Sequence, residues 1–381
     1  MKDDPLTPGR GGNAGPGGAI PEADEESGSE TGDLVALVGT TTRVFADCLL
    51  PNGALVEAPA HLPFYPAAAR DTMRCRPGLD AAAAILAMAT LGRDVRTPLL
   101  RWLVDRAAGF DDDGLLHRSY HLHGPSSDDT PDLFGTALLL YAVCDGPAGP
   151  MSPVTERATR SLASSLAIRW DADLGSFRRQ TQPTGALRAA ELAAVAAALS
   201  AAGAALDIHE WTRVADLVQS AAAAATEQTF RHRCNAENLG PGEEPLFAIF
   251  SLGWPFDREG TGLQAARIAE QMMIGNTGEG SLHRSHEHAA ATRNTVRPVE
   301  LFWLAAALAN GGAHDDARRY FHLGVATADH SGHFPERADQ TELSPSPRPY
   351  LLAHLLFLIA AEATGQLQRV PRSGHSSHRR S

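Results

Sequence analysis

The chain has 381 residues, a formal net charge of −12, 43% hydrophobic and 20% charged residues, an ordinary composition for a soluble globular protein. At this length folding removes about 75% of the unfolded chain's surface from water, so disulfides and structural metals are not needed for stability. The acidic balance argues against nucleic acid held by phosphate contacts and against a polybasic membrane anchor.

The start, Met1-Lys2-Asp3-Asp4-Pro5, is acidic and does not resemble a secretory leader. Residues 1–33 hold eight acids against Lys2 and Arg10, with few large apolar side chains. Such a segment buries too little surface to offset its ordering entropy and reads as a disordered tail. From 34 to 365 the chain reads as one domain of successive helices. Apolar residues recur at helical spacing near 34–48, 78–92, 94–108, 131–144, 155–169, 186–203, 208–227, 243–252, 260–273, 296–310, 313–328 and 346–364. Most of these stretches are rich in Ala and Leu, which favours helix. No run of about 18 uninterrupted apolar residues marks a transmembrane helix. The breaks carry Gly, Pro and Asp, as in Gly109-Phe110-Asp111-Asp112-Asp113-Gly114 and Gly146-Pro147-Ala148-Gly149-Pro150. Residues 366–381, with Arg369, Arg372, His375, His378, Arg379 and Arg380 among Ser and Gly, read as a flexible basic tail.

Ten to twelve helices in pairs suggest antiparallel hairpins closed into an α/α barrel. An open solenoid competes with it, but no fixed-period repeat supports one. Cys48, Cys75, Cys144 and Cys234 are far apart and form no CxxC pair. They read as thiols of a reducing, cytoplasmic compartment.

The residues with chemical potential fall between the helices, where a loop-built site belongs. Gly53–Pro59 leads to Phe64-Tyr65-Pro66 and then Arg70-Asp71. This Arg-Asp pair either holds polar ligand atoms from two sides or forms a local salt bridge. Asp113 through Asp132 is rich in Asp, His and Tyr. It suits a carbohydrate or cation site, with Asp129 a candidate ligand, or is a solvated loop whose Asp128 and Asp129 cap the next helix.

Trp170-Asp171-Ala172-Asp173-Leu174-Gly175-Ser176-Phe177 ends a helix. Trp170 offers a flat face for a sugar ring and Asp171 a proton-transfer group, or Trp170 simply sits in the core. Leu282-His283-Arg284-Ser285-His286-Glu287-His288 concentrates His and Glu, but its histidines share no helical face, so a polar pocket wall is preferred to a metal site. In Gly332-His333-Phe334-Pro335-Glu336 the proline holds Phe334 out of helical geometry and aims Glu336. Arg348-Pro349-Tyr350 and His354 follow. Two carboxylates facing each other across a barrel mouth are what glycoside hydrolysis requires.

In order and spacing, residues 53–364 resemble glycoside hydrolase family fifteen, the glucoamylase group. Gly53–Pro59 with Arg70-Asp71 is similar to its G-A-x-x-A-S-P and Y-x-Y-x-W-x-R-D stretches. Trp170–Phe177 is similar to its W-E-E-x-x-G-x-F, and Leu282-His283-Arg284 to its L-H-R-Y. Phe334-Pro335-Glu336-Arg337 with Pro349–His354 is similar to its L-P-E-Q and P-L-A-W-S-H-A. The resemblance implies an all-α (α/α)6 barrel and inverting hydrolysis of an α-linked glucoside, such as an oligosaccharide or trehalose, without cofactor or metal.

Asp171 would then be the general acid and Glu336 the general base, while Tyr65, Arg70, Asp71, Trp170, Asp129, His283, Arg284 and His354 would bind sugar. The chain departs from the pattern at Pro66, Ala68, Ala172 and Leu352, and Asp171 is one methylene shorter than the family's Glu. Two other readings stay open. One is a relative that binds carbohydrate or a partner protein without turnover. The other is an α/α barrel with lyase or epimerase chemistry at His283–His288.

Overall fold

The computed structural model describes residues 26–59, 74–106, 115–121, 126–146, 149–177, 185–233, 254–256, 262–277, 297–336 and 348–369. Among them the helices are α1 (Glu26–Cys48), α2 (Ala82–Thr90, continuing a π turn at Pro77–Ala81), α3 (Arg96–Arg106), α4 (Leu133–Asp145), α5 (Pro153–Arg169), α6 (Gly185–Leu206), α7 (His209–Arg233), α8 (Gly262–Thr277), α9 (Pro298–Asn310), α10 (His314–Val325) and α11 (Leu351–Ala363). The helix expected at 243–252 lies outside the described residues.

Burial separates two classes of helix. In α11 every residue from Leu351 to Ala361 is buried, and in α9 so is almost the whole stretch from Pro298 to Ala309. Helices apolar on all sides belong inside a protein. α10 buries only Ala317, Tyr320, Phe321 and Gly324 and turns its acids and arginines outward. The buried class forms an inner ring in which α9 packs on α11, α11 on α2, α2 on α4 and α4 on α6. Outer helices back onto inner ones, as α7 does on α6 and α10 on α9. The result is an (α/α)6 barrel in which the last inner helix, α11, meets the first, α2, with α1 packed on α11.

α6 contains the stretch Leu187–Leu206, which by length and hydropathy is able to cross a membrane and which runs through Arg188 and Glu191. It is an inner wall of the ring and most of it is buried, which accounts for its composition.

Close approach is built into the ring. A Cβ on Gly78 would stand 2.5 Å from Gly135 Cα, so α4 packs directly against the π turn before α2. Capping fixes the helix starts. Asp132 accepts from Gly135 N at 2.8 Å ahead of α4, and Ser152 accepts from Thr155 N ahead of α5, with Pro153 in the first turn.

Several elements differ from the sequence expectations. α1 begins at Glu26, inside the stretch read as tail. At the other end Gln366 is buried and Leu367–Arg369 form a 3-10 turn, so the ordered chain passes 365. The segment read as a polar loop before α4 carries a hairpin. Strand β2 (His117–His121) pairs antiparallel with β3 (Ser126–Pro131) and with β1 (Arg74–Cys75). Asp128 and Asp129 therefore lie on a strand, and the cap of α4 is Asp132. A second short hairpin, β4 (Trp170–Asp171) with β5 (Ser176–Phe177), follows α5.

The alternation of outer and inner helices sorts the connections. Inner-to-outer links are short: 91–95, 146–152, 207–208 and 311–313. Outer-to-inner links are long, as at 107–132, 170–184 and 326–350, and because the inner helices run the same way the ends of these links mark one mouth of the barrel. Apart from His354, which lies in α11, the segments singled out in the sequence fall by number on these long links.

Candidate active site

One side of this mouth is built by the described part of the link between α10 and α11. Its first turn is tied by Asp329, whose Oδ1 accepts from Ser331 N at 2.9 Å and His333 N at 3.0 Å. Gly332 adopts φ 75° there, a conformation glycine enters without a Cβ penalty. Phe334 then plunges into the core and is fully buried. Its ring meets Phe302 at 5.1 Å and Phe357 at 5.3 Å. Its carbonyl accepts from Tyr350 N at 2.9 Å, and its N–H donates to Nε2 of His354 at 3.1 Å. Glu336 leaves this anchored strap half-buried.

His354 is not a sugar ligand in this structure. It is fully buried in α11, and both ring nitrogens are engaged inside the protein. Nε2 accepts from Phe334, so the proton sits on Nδ1, 3.0 Å from Thr41 Oγ1 on α1. Burial, with a smaller contribution from His333, lowers its pKa to about 3. A lone His inside the apolar run Leu351–Ile359 is a core histidine, and it fastens the strap to the barrel.

Beside the strap lies a polar cluster whose partners the sequence did not show. Arg76 donates to both carboxylate oxygens of Asp80, each at 3.1 Å, and to the Tyr350 hydroxyl at 2.8 Å. Glu57 stands 3.9 Å away, and its carbonyl accepts from Leu351 N at 2.9 Å. Burial pushes the Asp80 carboxyl above its ordinary range against the pull of Arg76. Burial likewise pushes the Tyr350 phenol up to about 12. The i,i+4 spacing of Arg76 and Asp80 at a helix start was the available sequence sign of the ion pair.

Asp171 sits half-buried on β4. Its Oδ1 accepts from Asp173 N at 3.1 Å and Leu174 N at 3.2 Å, closing the turn between β4 and β5. Trp170 is half-buried and meets Phe177 edge-on at 5.2 Å. Its Nε1 is buried without a hydrogen-bond partner among the described residues. Tyr120, of the second cluster, is a packing residue: its ring meets Trp102 at 6.0 Å and its hydroxyl accepts from His117 N at 2.9 Å.

Asp129 lies on β3, its side chain outside what is described. Tyr65, Arg70, Asp71, His283 and Arg284 lie outside the described residues. No group of three or more His, Cys, Asp or Glu able to hold a metal occurs among the described residues. Cys48 and Cys75 are free thiols buried near Glu57 and Asp80, and burial pushes Cys75 up to about 12. They remain unreactive thiols at neutral pH.

No protein-family model and no curated protein matches the chain. Solved structures do. A wild-type glycosidase aligns with a TM-score of 0.56 at 15% identity, over 90% of this chain and 99% of that one. A glutamate-to-alanine variant of a glycosidase in complex with glucose aligns at 0.57 and 17% identity, with the same coverage. A bacterial glucoamylase complexed with acarbose aligns at 0.54 and 14% identity, over 88% of this chain and 56% of that chain. At these identities the likeness is one of fold: the chain shares the helical barrel of glycosidases.

Proposed function

We propose that the mouth is a carbohydrate site and that the protein is a glycoside hydrolase that inverts an α-linked glucoside, such as an oligosaccharide or trehalose. The observation that carries this reading is the Glu336 strap. A half-buried carboxylate is held at the mouth by an anchored backbone, beside the Arg76–Asp80–Tyr350 cluster. Catalytic carboxylates need this kind of positioning, since a displacement near 1 Å can cost about 100-fold in rate. The orphaned indole N–H of Trp170 is a second support, because a ligand oxygen is a natural partner for a buried donor. Solved proteins of the same fold hold glucose and acarbose.

In this reaction Glu336 acts as general base and draws a proton from water, which attacks the anomeric carbon from the face opposite the leaving group. Asp171 acts as general acid and protonates the leaving oxygen. Arg70 and Asp71 hold the sugar in the subsite next to the cleaved bond. The net charge of −12 fits a neutral small-molecule substrate rather than nucleic acid. The free thiols fit a cytoplasmic setting.

A second reading is favoured by one observation. Two backbone N–H groups donate to Asp171 Oδ1, and such donors stabilise the carboxylate, whereas a general acid must arrive protonated. If Asp171 serves only its turn, the mouth binds sugar without cleaving it.

The test is sugar release from maltose, maltotriose, isomaltose, trehalose and dextrin by wild type and Glu336→Gln. Release by the wild type alone supports the hydrolase. Saturable binding without release, measured calorimetrically, supports the second reading.

A further inference from the structure

We propose that Glu57 and Arg76 form a sugar-hydroxyl site at the mouth: one hydroxyl of a neutral hexose accepts from Arg76 Nη1 and donates to the Glu57 carboxylate. The inference deepens the reading of this mouth as a carbohydrate site and rests on it.

Both residues are placed by the starts of inner helices. Arg76 directly precedes the π turn that opens α2. The Glu57 carbonyl accepts from Leu351 N at 2.9 Å, a first-turn donor that has no partner within α11. α2 and α11 are neighbours in the ring, so the pair stands at the end of the barrel where the Glu336 strap enters. Tyr350 joins the two: its N–H donates to Phe334 O on the strap at 2.9 Å, and its hydroxyl accepts from Arg76 at 2.8 Å.

The guanidinium is clamped along one edge and open along another. Nε and Nη2 donate to Oδ2 and Oδ1 of Asp80, each at 3.1 Å, and Nη2 also serves Tyr350. Asp80 is only 1% exposed, so the clamp is internal. Nη1 has no hydrogen bond among the described residues and is not buried. Arginine only donates, so the N–H groups of Nη1 call for an acceptor from outside. A fork fixed in advance also loses little side-chain entropy when that acceptor arrives.

The Glu57 carboxylate lies 3.9 Å from Nη2, too far for a direct hydrogen bond. Its side chain and that of Arg76 are 26% and 28% exposed, so each is open to a ligand. A carboxylate has about four acceptor sites and takes a hydroxyl proton in addition to its contacts within the protein. A hydroxyl accepts and donates at once, which answers the arginine and the acid together. A ligand carboxylate or phosphate would answer Arg76 alone and would meet Glu57 and Asp80 as like charges. The chemistry therefore selects a neutral sugar.

The test measures the affinity of the full chain for glucose and for 2-, 3-, 4- and 6-deoxyglucose by ligand-observed NMR titration, in wild type, Glu57→Gln and Arg76→Lys. None of these ligands has a bond to cleave. The proposal expects one deoxy position to weaken wild-type binding about tenfold, as loss of a hydrogen bond to a charged group does. In Glu57→Gln the loss at that position should shrink to about threefold or less, with the other positions unaltered. Arg76→Lys, which lacks Nη1, should shrink the same position. Should it not fold, Glu57→Gln, whose side chain is partly exposed and whose carbonyl still holds Leu351, carries the test.

A purely structural pair would weaken every sugar alike. Deoxy losses that are the same in wild type and Glu57→Gln overturn the proposal, as does the absence of glucose binding. Sugar release by the wild type in either case would leave the hydrolase reading standing. A position-specific loss without any glycoside cleavage would uphold the hydroxyl site and remove the hydrolase.

Discussion

The backbone N–H of Phe334 donates to Nε2 of His354 at 3.1 Å, so a fully buried histidine of the inner ring fixes the backbone two residues ahead of Glu336. Its other nitrogen lies 3.0 Å from Thr41 Oγ1. One imidazole therefore joins the first helix, the last inner helix and the strap.

This arrangement makes His354 a determinant of acid stability. The folded protein holds it neutral down to about pH 3, whereas a histidine in the unfolded chain titrates near ~6.5. Between these values the unfolded state binds the extra proton, so stability rises with pH, is complete above about 6.5 and is lost as pH falls toward 3. The slope from this group is about 1.4 kcal/mol per pH unit. We predict that thermal melts of the wild type fall more steeply from pH 7 to pH 4 than those of His354→Gln. Parallel curves would contradict the assignment.

The Arg76–Asp80 pair should be costly to split. Asp80 is buried, and both its oxygens are held by one guanidinium. Removing one partner of a buried pair typically costs about 3–5 kcal/mol. Asp80→Asn should lower the urea midpoint accordingly, while the rim pair Arg160–Glu156, with both side chains well exposed, should respond to Glu156→Gln by less than about 1 kcal/mol. Equal effects at the two sites would contradict the burial argument.

The ring leaves no room at Gly78. An added methyl would overlap Gly135 Cα at 2.5 Å, so Gly78→Ala must push the π turn away from α4. Overpacking of this kind costs about 1–3 kcal/mol. A comparable change at Gly92, which meets nothing within 4 Å but has a φ of 70°, strains only the backbone and should cost about 1 kcal/mol.

Asp171 can be probed without disturbing its turn. Asn keeps the side-chain oxygen that accepts from Asp173 N and Leu174 N but supplies no acid proton. Asp171→Asn should keep the melting temperature and lower hydrolysis by about 100-fold or more, the scale of a general acid. Full activity in this variant would leave Asp171 as a turn residue alone.

Much of the architecture is legible in the sequence. The inner helices read as Ala- and Leu-rich runs, and α10 as an amphipathic one, because an inner wall is covered on every side and an outer wall on one. The order of helices and the placement of candidate residues on the links between them follow from that contrast. The Asp113–Asp132 link was less legible. Its hairpin lacks the run of β-branched residues that marks a strand and is stabilised by pairing with Arg74–Cys75.

The site was legible where local chemistry sets geometry and opaque where distant residues meet. Phe334-Pro335 announced a stiff approach to Glu336. Nothing local announces that Arg76 meets Tyr350, 274 positions away, or that His354 turns inward to Thr41, 313 positions away. A family pattern places His354 near the sugar. The apolar run around it, Leu351 to Ile359, is the physical sign that it belongs to the core.

The central claim is that Glu336 activates water against an α-glucosidic bond. The most direct test is the anomeric form of the first product, followed by proton NMR during cleavage of whichever α-glucoside the protein accepts. The account predicts β-glucose as the initial product from the wild type and no cleavage by Glu336→Gln. Initial release of α-glucose, or cleavage that survives Glu336→Gln, would contradict it.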